Sequence, residues 1–243
     1  MEKPVYLYYK LDNFYQNHRT YVKSVNYDQL GGDDLPVSDL DDCSPIKTNA
    51  ELGFEKSHGN IGFNQGINLV SEAAANPCGL IARSFFNDTY ALSIDDPLTA
   101  IGVDETDIAW DSDEDHKFGK PDNSGDIQWI DPTNEHFIVW MRTAGMPNFR
   151  KLWGRIHIDL QPDTYRLVVA NNYDVSAFDG KKTFVMSTTN AFGGKNYFLA
   201  ICYIVVGSLC FVFAAIFAIA HFVNSRLMKN ESYASESNHV HAE

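Results

Sequence analysis

FLAICYIVVGSLCFVFAAIFAIAHF, residues 198–222, holds no Asp, Glu, Lys or Arg. As an α-helix its 25 residues reach roughly 37 Å, more than the roughly 30 Å of hydrocarbon in a bilayer. A buried helix of a water-soluble domain is usually shorter and shows a polar face, which this stretch lacks. It predicts one transmembrane helix near the C-terminus, spanning with some tilt. Ala200, Gly207, Ala214 and Ala218, with Cys210 between them, form a ridge of small residues along it. Such a ridge lets a second helix approach closely, which matters because lipid supplies no hydrophobic drive for association. Chance in an Ala-rich helix is the plain alternative. The absence of intramembrane charge argues against an ion pathway within this helix alone. Lys195 precedes the span and Arg226 and Lys229 follow it, a small bias toward a cytoplasmic tail.

The 197 residues before the span suffice for one domain and carry the acidity, 29 acidic against 17 basic. A net charge near −12 there argues against nucleic acid or an anionic membrane surface as partner. Cys202 and Cys210 lie inside the apolar helix and read as packing or acylation residues. Cys43 and Cys78 remain. In an oxidising compartment they would pair, closing a loop of about 36 residues worth ~3–4 kcal/mol in the chain-entropy model; in the cytosol they would be two unrelated thiols. Compartment also decides the sequons Asn87-Asp88-Thr89 and Asn230-Glu231-Ser232. Met1-Glu2-Lys3-Pro4 leads straight into an aromatic segment, without basic, apolar or small-residue features of a signal peptide.

Val5 to Tyr9, rich in aromatic and β-branched residues, predicts a strand. From Leu11 to Val22 the apolar positions follow helical spacing, with His18 a core or rim residue rather than a ligand. Residues 31–45 have loop composition, and Asn76-Pro77-Cys78-Gly79 is a strong turn. Residues 93–135, polar and broken by Pro97, Pro121 and Pro132, read as surface excursions. Phe137 to Met141 reads as a buried strand, and Arg150 to Leu160 alternates loosely. Thr164 to Ala170 and Thr183 to Thr189 are further strands, which could form an antiparallel pair with a long connection. The expected fold class is mainly β with short helices: an antiparallel domain followed by one transmembrane helix.

No motif argues for catalysis. Asp111, Asp113 and Asp115 alternate like the start of a calcium loop, but His116 stands where the EF-hand needs Gly and Asp122 where it needs Glu. A solvated acidic loop is the better reading. The eight histidines show no zinc-ligand spacing. There is no nucleophile elbow, phosphate loop or dinucleotide fingerprint, and Gly193-Gly194-Lys195 reads as a joint. Adjacent carboxylates such as Asp41-Asp42 and Asp95-Asp96 have no partner across a substrate. No cofactor or metal is expected.

Several segments in register resemble one family. They are Tyr8-Tyr9-Lys10-Leu11-Asp12-Asn13-Phe14-Tyr15-Gln16-Asn17-His18-Arg19, Asn76-Pro77-Cys78-Gly79-Leu80-Ile81-Ala82, Ser84-Phe85-Phe86-Asn87-Asp88-Thr89, Arg142-Thr143-Ala144-Gly145-Met146-Pro147-Asn148-Phe149-Arg150-Lys151-Leu152, Asn171-Asn172-Tyr173, and Gly193-Gly194-Lys195-Asn196 leading into Val206-Gly207-Ser208-Leu209. Together they resemble the cell division control protein fifty, or ligand-effect modulator three, family over nearly the whole chain. The resemblance implies a non-catalytic β subunit in a heterodimer with the catalytic α subunit of a type-IV P-type ATPase, a phospholipid flippase, acting on membrane lipids. It implies a role in the pump's folding, exit from the endoplasmic reticulum and transport cycle. Location would be the endoplasmic reticulum, Golgi, endosome or plasma membrane. The implied organisation is an antiparallel β-sandwich ectodomain over 1–196, lumenal or extracellular, a transmembrane helix over 197–223 and a cytoplasmic tail over 224–243. The resemblance also implies a disulfide between Cys43 and Cys78, a glycan on Asn87 and a bare Asn230, and it places the family's first transmembrane helix upstream of residue 1. Read from Met1 alone, the helix and its short tail resemble a tail anchor, which would leave the domain cytosolic, the two cysteines reduced and Asn87 unglycosylated. The competing function is a single-pass cell-surface protein that binds a soluble ligand.

Overall fold

The computed structural model describes residues 1–53, 69–95, 98–188 and 197–240. Its chain divides into two compact units, Met1–Phe192 and Gly193–Glu243.

The first unit is organised by β1 (Val5–Asp12), whose residues alternate buried and half-buried along its whole length. The aromatic strand at residues 5–9 forms where expected and extends three residues further. Val5, Leu7, Tyr9 and Leu11 point inward and are buried, each burial contributing about 1.5–3 kcal/mol. β1 is the centre of an antiparallel sheet, flanked by β4 (Phe149–Ile156) and β6 (Lys181–Ser187). A second antiparallel sheet places β2 (Thr89–Ile94) between β3 (Thr99–Ile101) and β5 (Tyr165–Ala170). The inner faces meet through aromatic side chains. Tyr9 stacks on Phe86 at 3.9 Å, and Tyr90 on β2 meets Trp153 on β4 at 5.1 Å and Phe184 on β6 at 4.9 Å.

Short helices close the ends of this core: α1 (Arg19–Lys23), α2 (Tyr27–Leu30), α3 (Asn49–Leu52), α4 (Leu80–Arg83), α5 (Asp111–Lys117), α6 (Ser124–Ile127) and α7 (Glu135–Met141). The second unit is α8, Tyr197–Val240, whose Tyr197–Asn224 portion is long and apolar enough to cross a membrane. The helix continues beyond the apolar stretch to Val240.

Four sequence expectations are corrected. Residues 11–22 are not one helix, because Leu11 is paired with both Phe149 and Lys182 and so belongs to the sheet. Asn13, at φ 62°, ends the strand, and only Arg19–Lys23 is helical. Phe137 to Met141 is helix rather than strand. Asn134 caps α7 by accepting from the amides of His136 (3.0 Å) and Phe137 (3.4 Å), which offsets the loss of partners at a helix start. β5 and β6 do not pair with each other: β5 joins β2 and β6 joins β1, so the chain between them changes sheets. Residues 93–135 are more than surface excursions. They supply β3, α5, α6 and the buried Ile108, Trp129 and Ile130. Within them the acidic stretch is helical, and Asp113 is buried at 2% exposure with ion pairs to Lys117 (2.7 Å) and Arg142. Burial alone would raise its pKa; the bonds from Arg142 and Lys117 outweigh that and lower it. The joint at Gly193-Gly194-Lys195 lies outside the described residues.

Candidate functional site

Cys43 ends a single 3₁₀ turn, Asp41–Cys43, and Cys78 follows Pro77 in the turn before α4. The two are joined in a disulfide with their Cα atoms 5.7 Å apart, and both are buried. Two buried polar side chains fix their backbones. The Ser24 hydroxyl donates to the Cys43 carbonyl (3.0 Å) and accepts from the Leu80 amide (2.8 Å). Gln29 accepts from the Cys78 amide (2.8 Å) through Oε1 and donates to the Ala75 carbonyl (2.9 Å) through Nε2. Gly79 completes the cradle at φ +95°, where a Cβ would stand 2.2 Å from the Ser24 carbonyl oxygen, a conformation and a clearance available to glycine alone.

Asn87 lies two residues before the start of β2 and is 5% exposed. Its neighbour Asp88, also buried, is the more constrained member of the sequon. One carboxylate oxygen accepts from the amides of Asn172 and Tyr173, each at 2.7 Å, and the other pairs with Lys182 at 2.5 Å. These bonds pin the corner at which the chain leaves β5 for β6. The sequence offered only the triplet at 87–89; the role of its middle residue depends on contacts more than 80 positions away and was not legible there.

Lys151 was also not singled out by sequence. Its Nζ, on the inward face of β4, donates to the carbonyls of Val139 (2.8 Å), Trp140 (2.6 Å) and Arg142 (2.5 Å). It therefore satisfies the orphan carbonyls at the end of α7. Burial, with Arg142 nearby, pushes its pKa down to about 7. The three carbonyls pull the other way, since only the ammonium form has three N–H donors.

On α8, Ala200, Gly207, Ala214 and Ala218 fall within about 40° of one another at 100° per residue, with Cys210 about 40° further round. All five are exposed, and nothing lies within 4 Å of a Cβ built on Gly207. The Ser208 hydroxyl donates to the Ile204 carbonyl (2.8 Å), so this polar group is satisfied within the helix. Asn230 belongs to the same helix. Among the described residues no cluster of three His, Cys, Asp or Glu side chains has a metal-holding arrangement.

Comparison with known proteins adds the context these features lack. A profile described as the LEM3 (ligand-effect modulator 3) family / CDC50 family matches residues 1–227. ALA-interacting subunit 3 of Arabidopsis thaliana is 42% identical over 249 residues, covering 97% of this chain and 64% of that protein. Cell cycle control protein 50A of Bos taurus is 34% identical, covering 98% and 67%. Phospholipid-transporting ATPase accessory subunit CRF1 of Saccharomyces cerevisiae is 34% identical, covering 98% and 61%. The chain thus spans about two thirds of the length of the curated relatives it matches.

Proposed function

Because the chain belongs to the CDC50/LEM3 family, we propose that it works as a non-catalytic accessory β subunit of a phospholipid-transporting P-type ATPase. The observation that carries this reading is the match over residues 1–227, which takes in both the two-sheet domain and the apolar part of α8. The reaction belongs to the catalytic subunit; this chain contributes folding, exit from the endoplasmic reticulum and support of the lipid transport cycle. The complex is a heterodimer in which α8 packs on the pump through Ala200, Gly207, Cys210, Ala214 and Ala218, surrounded by membrane lipids. Close packing of small residues is the usual source of such contacts in lipid.

In this proposal residues 1–196 face the lumen or the cell exterior, 197–223 span the membrane and 224–243 are cytoplasmic. The home membrane is that of the endoplasmic reticulum, Golgi, endosome or cell surface. The buried Cys43–Cys78 disulfide supports the orientation, because such bonds persist in oxidising compartments. Asn87 is the glycan acceptor on this side.

Co-expression of the chain with candidate phospholipid-transporting ATPases, followed by detergent extraction and affinity capture, tests the reading. The expected result is a one-to-one complex and greater exit of the pump from the endoplasmic reticulum. Capture of no such ATPase, with pump trafficking unchanged by the chain, overturns it. An endoglycosidase-sensitive mass shift that is lost in Asn87→Gln separately tests orientation; no shift overturns the glycan assignment.

A further inference from the structure

β4 has a strand neighbour, β1, on one side only. On its other side Asp104 and Arg155 exchange both backbone bonds, the Asp104 amide donating to the Arg155 carbonyl at 2.8 Å and the Arg155 amide to the Asp104 carbonyl at 2.7 Å. Arg155 therefore turns its main-chain groups away from β1. Tyr6, Tyr8 and Lys10 of β1 lie opposite Arg155, Leu152 and Arg150, with the register irregularity falling between Leu7 and Tyr8. Alternate residues of an antiparallel strand bond to the same side, so Leu152 and Arg150 share the orientation of Arg155. Their N–H and C=O groups point to the outer edge, where no hydrogen bond reaches them among the described residues.

The segment that covers β4 at Arg155 does not continue along it. Asp107, at φ 52°, bends it away, and Arg155 holds the bend by donating to the carbonyls of Thr106 and Asp107. The amides of Asp107, Ile108 and Ala109 are all taken by the Glu135 carboxylate, at 3.0, 2.6 and 3.1 Å. With those donors committed to the first residue of α7, the segment has none to offer β4. A cavity of about 320 Å³ is left, lined by Ile108 and Trp110, by Ile138 and Val139 of α7, and by the edge at 150–152.

An unpaired strand edge beside an apolar hollow is the arrangement an extended peptide recognises: main-chain bonds supply affinity, and the hollow selects a side chain. A guest residue opposite Lys151 points to the same face as Lys151, whose Nζ reaches the carbonyls of Val139 and Trp140 on α7. Its side chain would enter the hollow. A small apolar molecule would fill the same space and leave the four main-chain groups unmet.

We propose that the edge at 150–152 is a strand-addition site, taking an extended segment of another polypeptide that is aliphatic at the position opposite Lys151. This goes beyond the accessory-subunit reading. It rests on that reading only in assigning the guest to a protein other than the pump, whose contact lies on α8.

The test uses the full chain in nanodiscs and a fluorescein-labelled peptide, Gln-Thr-Ile-Thr-Ile-Thr-Gln, followed by anisotropy with the signal of empty nanodiscs subtracted. Expected is saturable binding that weakens roughly tenfold when the peptide is N-methylated at its threonines. Leu152→Pro, which removes one edge donor and leaves the ladder with β1 intact, and Val139→Phe, which fills the hollow, each weaken it by about the same factor. Leu152→Ala, which keeps that donor, and Val168→Ala on β5 retain binding. Alkylation mapping of Cys43 and Cys78 verifies that each variant keeps its disulfide, and the N-methylated peptide probes the wild-type chain without any substitution. Absence of saturable binding overturns the proposal. So does equal binding of the N-methylated peptide, which assigns the hollow to an apolar molecule without main-chain recognition. The same titration on the chain co-purified with its ATPase decides the identity of the guest: unchanged affinity supports a site apart from the pump, and lost binding assigns the edge to the pump and overturns the proposal. If the chain captures no ATPase, the accessory-subunit reading fails, and the peptide titration alone decides the edge.

Discussion

Lys151 concentrates several interactions in one side chain. Replacing it by Met leaves three carbonyls at the end of α7 without their donor, and the expected cost is about 2–4 kcal/mol, read from the denaturation midpoint of the domain. The wild type also carries a pH signature. Its folded pKa, about 7, lies below the ordinary 10.5, so between those values the unfolded chain holds more protons than the folded one. Stability attributable to Lys151 therefore rises with pH across that window and falls as pH drops toward 7. Lys151→Met is expected to remove that slope, measured as Tm from pH 7 to 9.5; an identical slope in both proteins would contradict the assignment. Gly79→Ala tests the disulfide cradle. A Cβ 2.2 Å from a backbone carbonyl, at positive φ, is expected to destabilise by several times the roughly 1 kcal/mol of an exposed glycine replacement. Loss of oxidised Cys43–Cys78 in the membrane-extracted chain checks it. At this scale the sequence was informative about residue types with a single use, such as the cysteines and the turn glycine. It was silent on Lys151 and Asp88, because a buried charge is recognisable only once its distant partners are assembled around it.

At the scale of elements, β1 was legible because aromatic and β-branched residues dominate Val5 to Tyr9. Its extension to Asp12 was not, because pairing on both sides overrode a local helical spacing. Phe137 to Met141 illustrates the ambiguity of short apolar runs. Five apolar residues fit a strand or a buried helix equally well, and the deciding signal was the Asn134 cap just upstream. β5 and β6 were each found as strands, yet their partners depended on the Asp88 corner rather than on proximity in sequence. The membrane segment of α8 needed only composition and length. Its small-residue ridge gives an element-level prediction. Gly207→Leu should leave the domain's disulfide and thermal stability unchanged while lowering recovery of the pump complex roughly tenfold, compared by quantitative capture with Leu209→Ile off the ridge. Undiminished recovery would remove the ridge from the interface.

For the whole molecule, the two cross-links of residues 24–80 act together: a covalent one between Cys43 and Cys78 and a polar one through Ser24 and Gln29. Replacing both cysteines by serine is expected to cost about 2–4 kcal/mol, read as a lower urea midpoint, with the wild type under reductant falling to the same value. The central position of β1 has a consequence in time. Its neighbours lie at residues 149–156 and 181–187, so β1 cannot complete its sheet until almost all of the domain that follows it has been translated. At ordinary rates of about 5–20 residues per second, that delay is roughly 9–35 s. Until β4 arrives, an aromatic strand waits with both edges unpaired, and one edge stays open until β6 follows, a state prone to aggregation. When β6 finally arrives, the apolar stretch that begins at Tyr197 is the next segment to leave the ribosome. Closure of the sheet and entry of the helix into the bilayer thus fall in the same few seconds of biosynthesis.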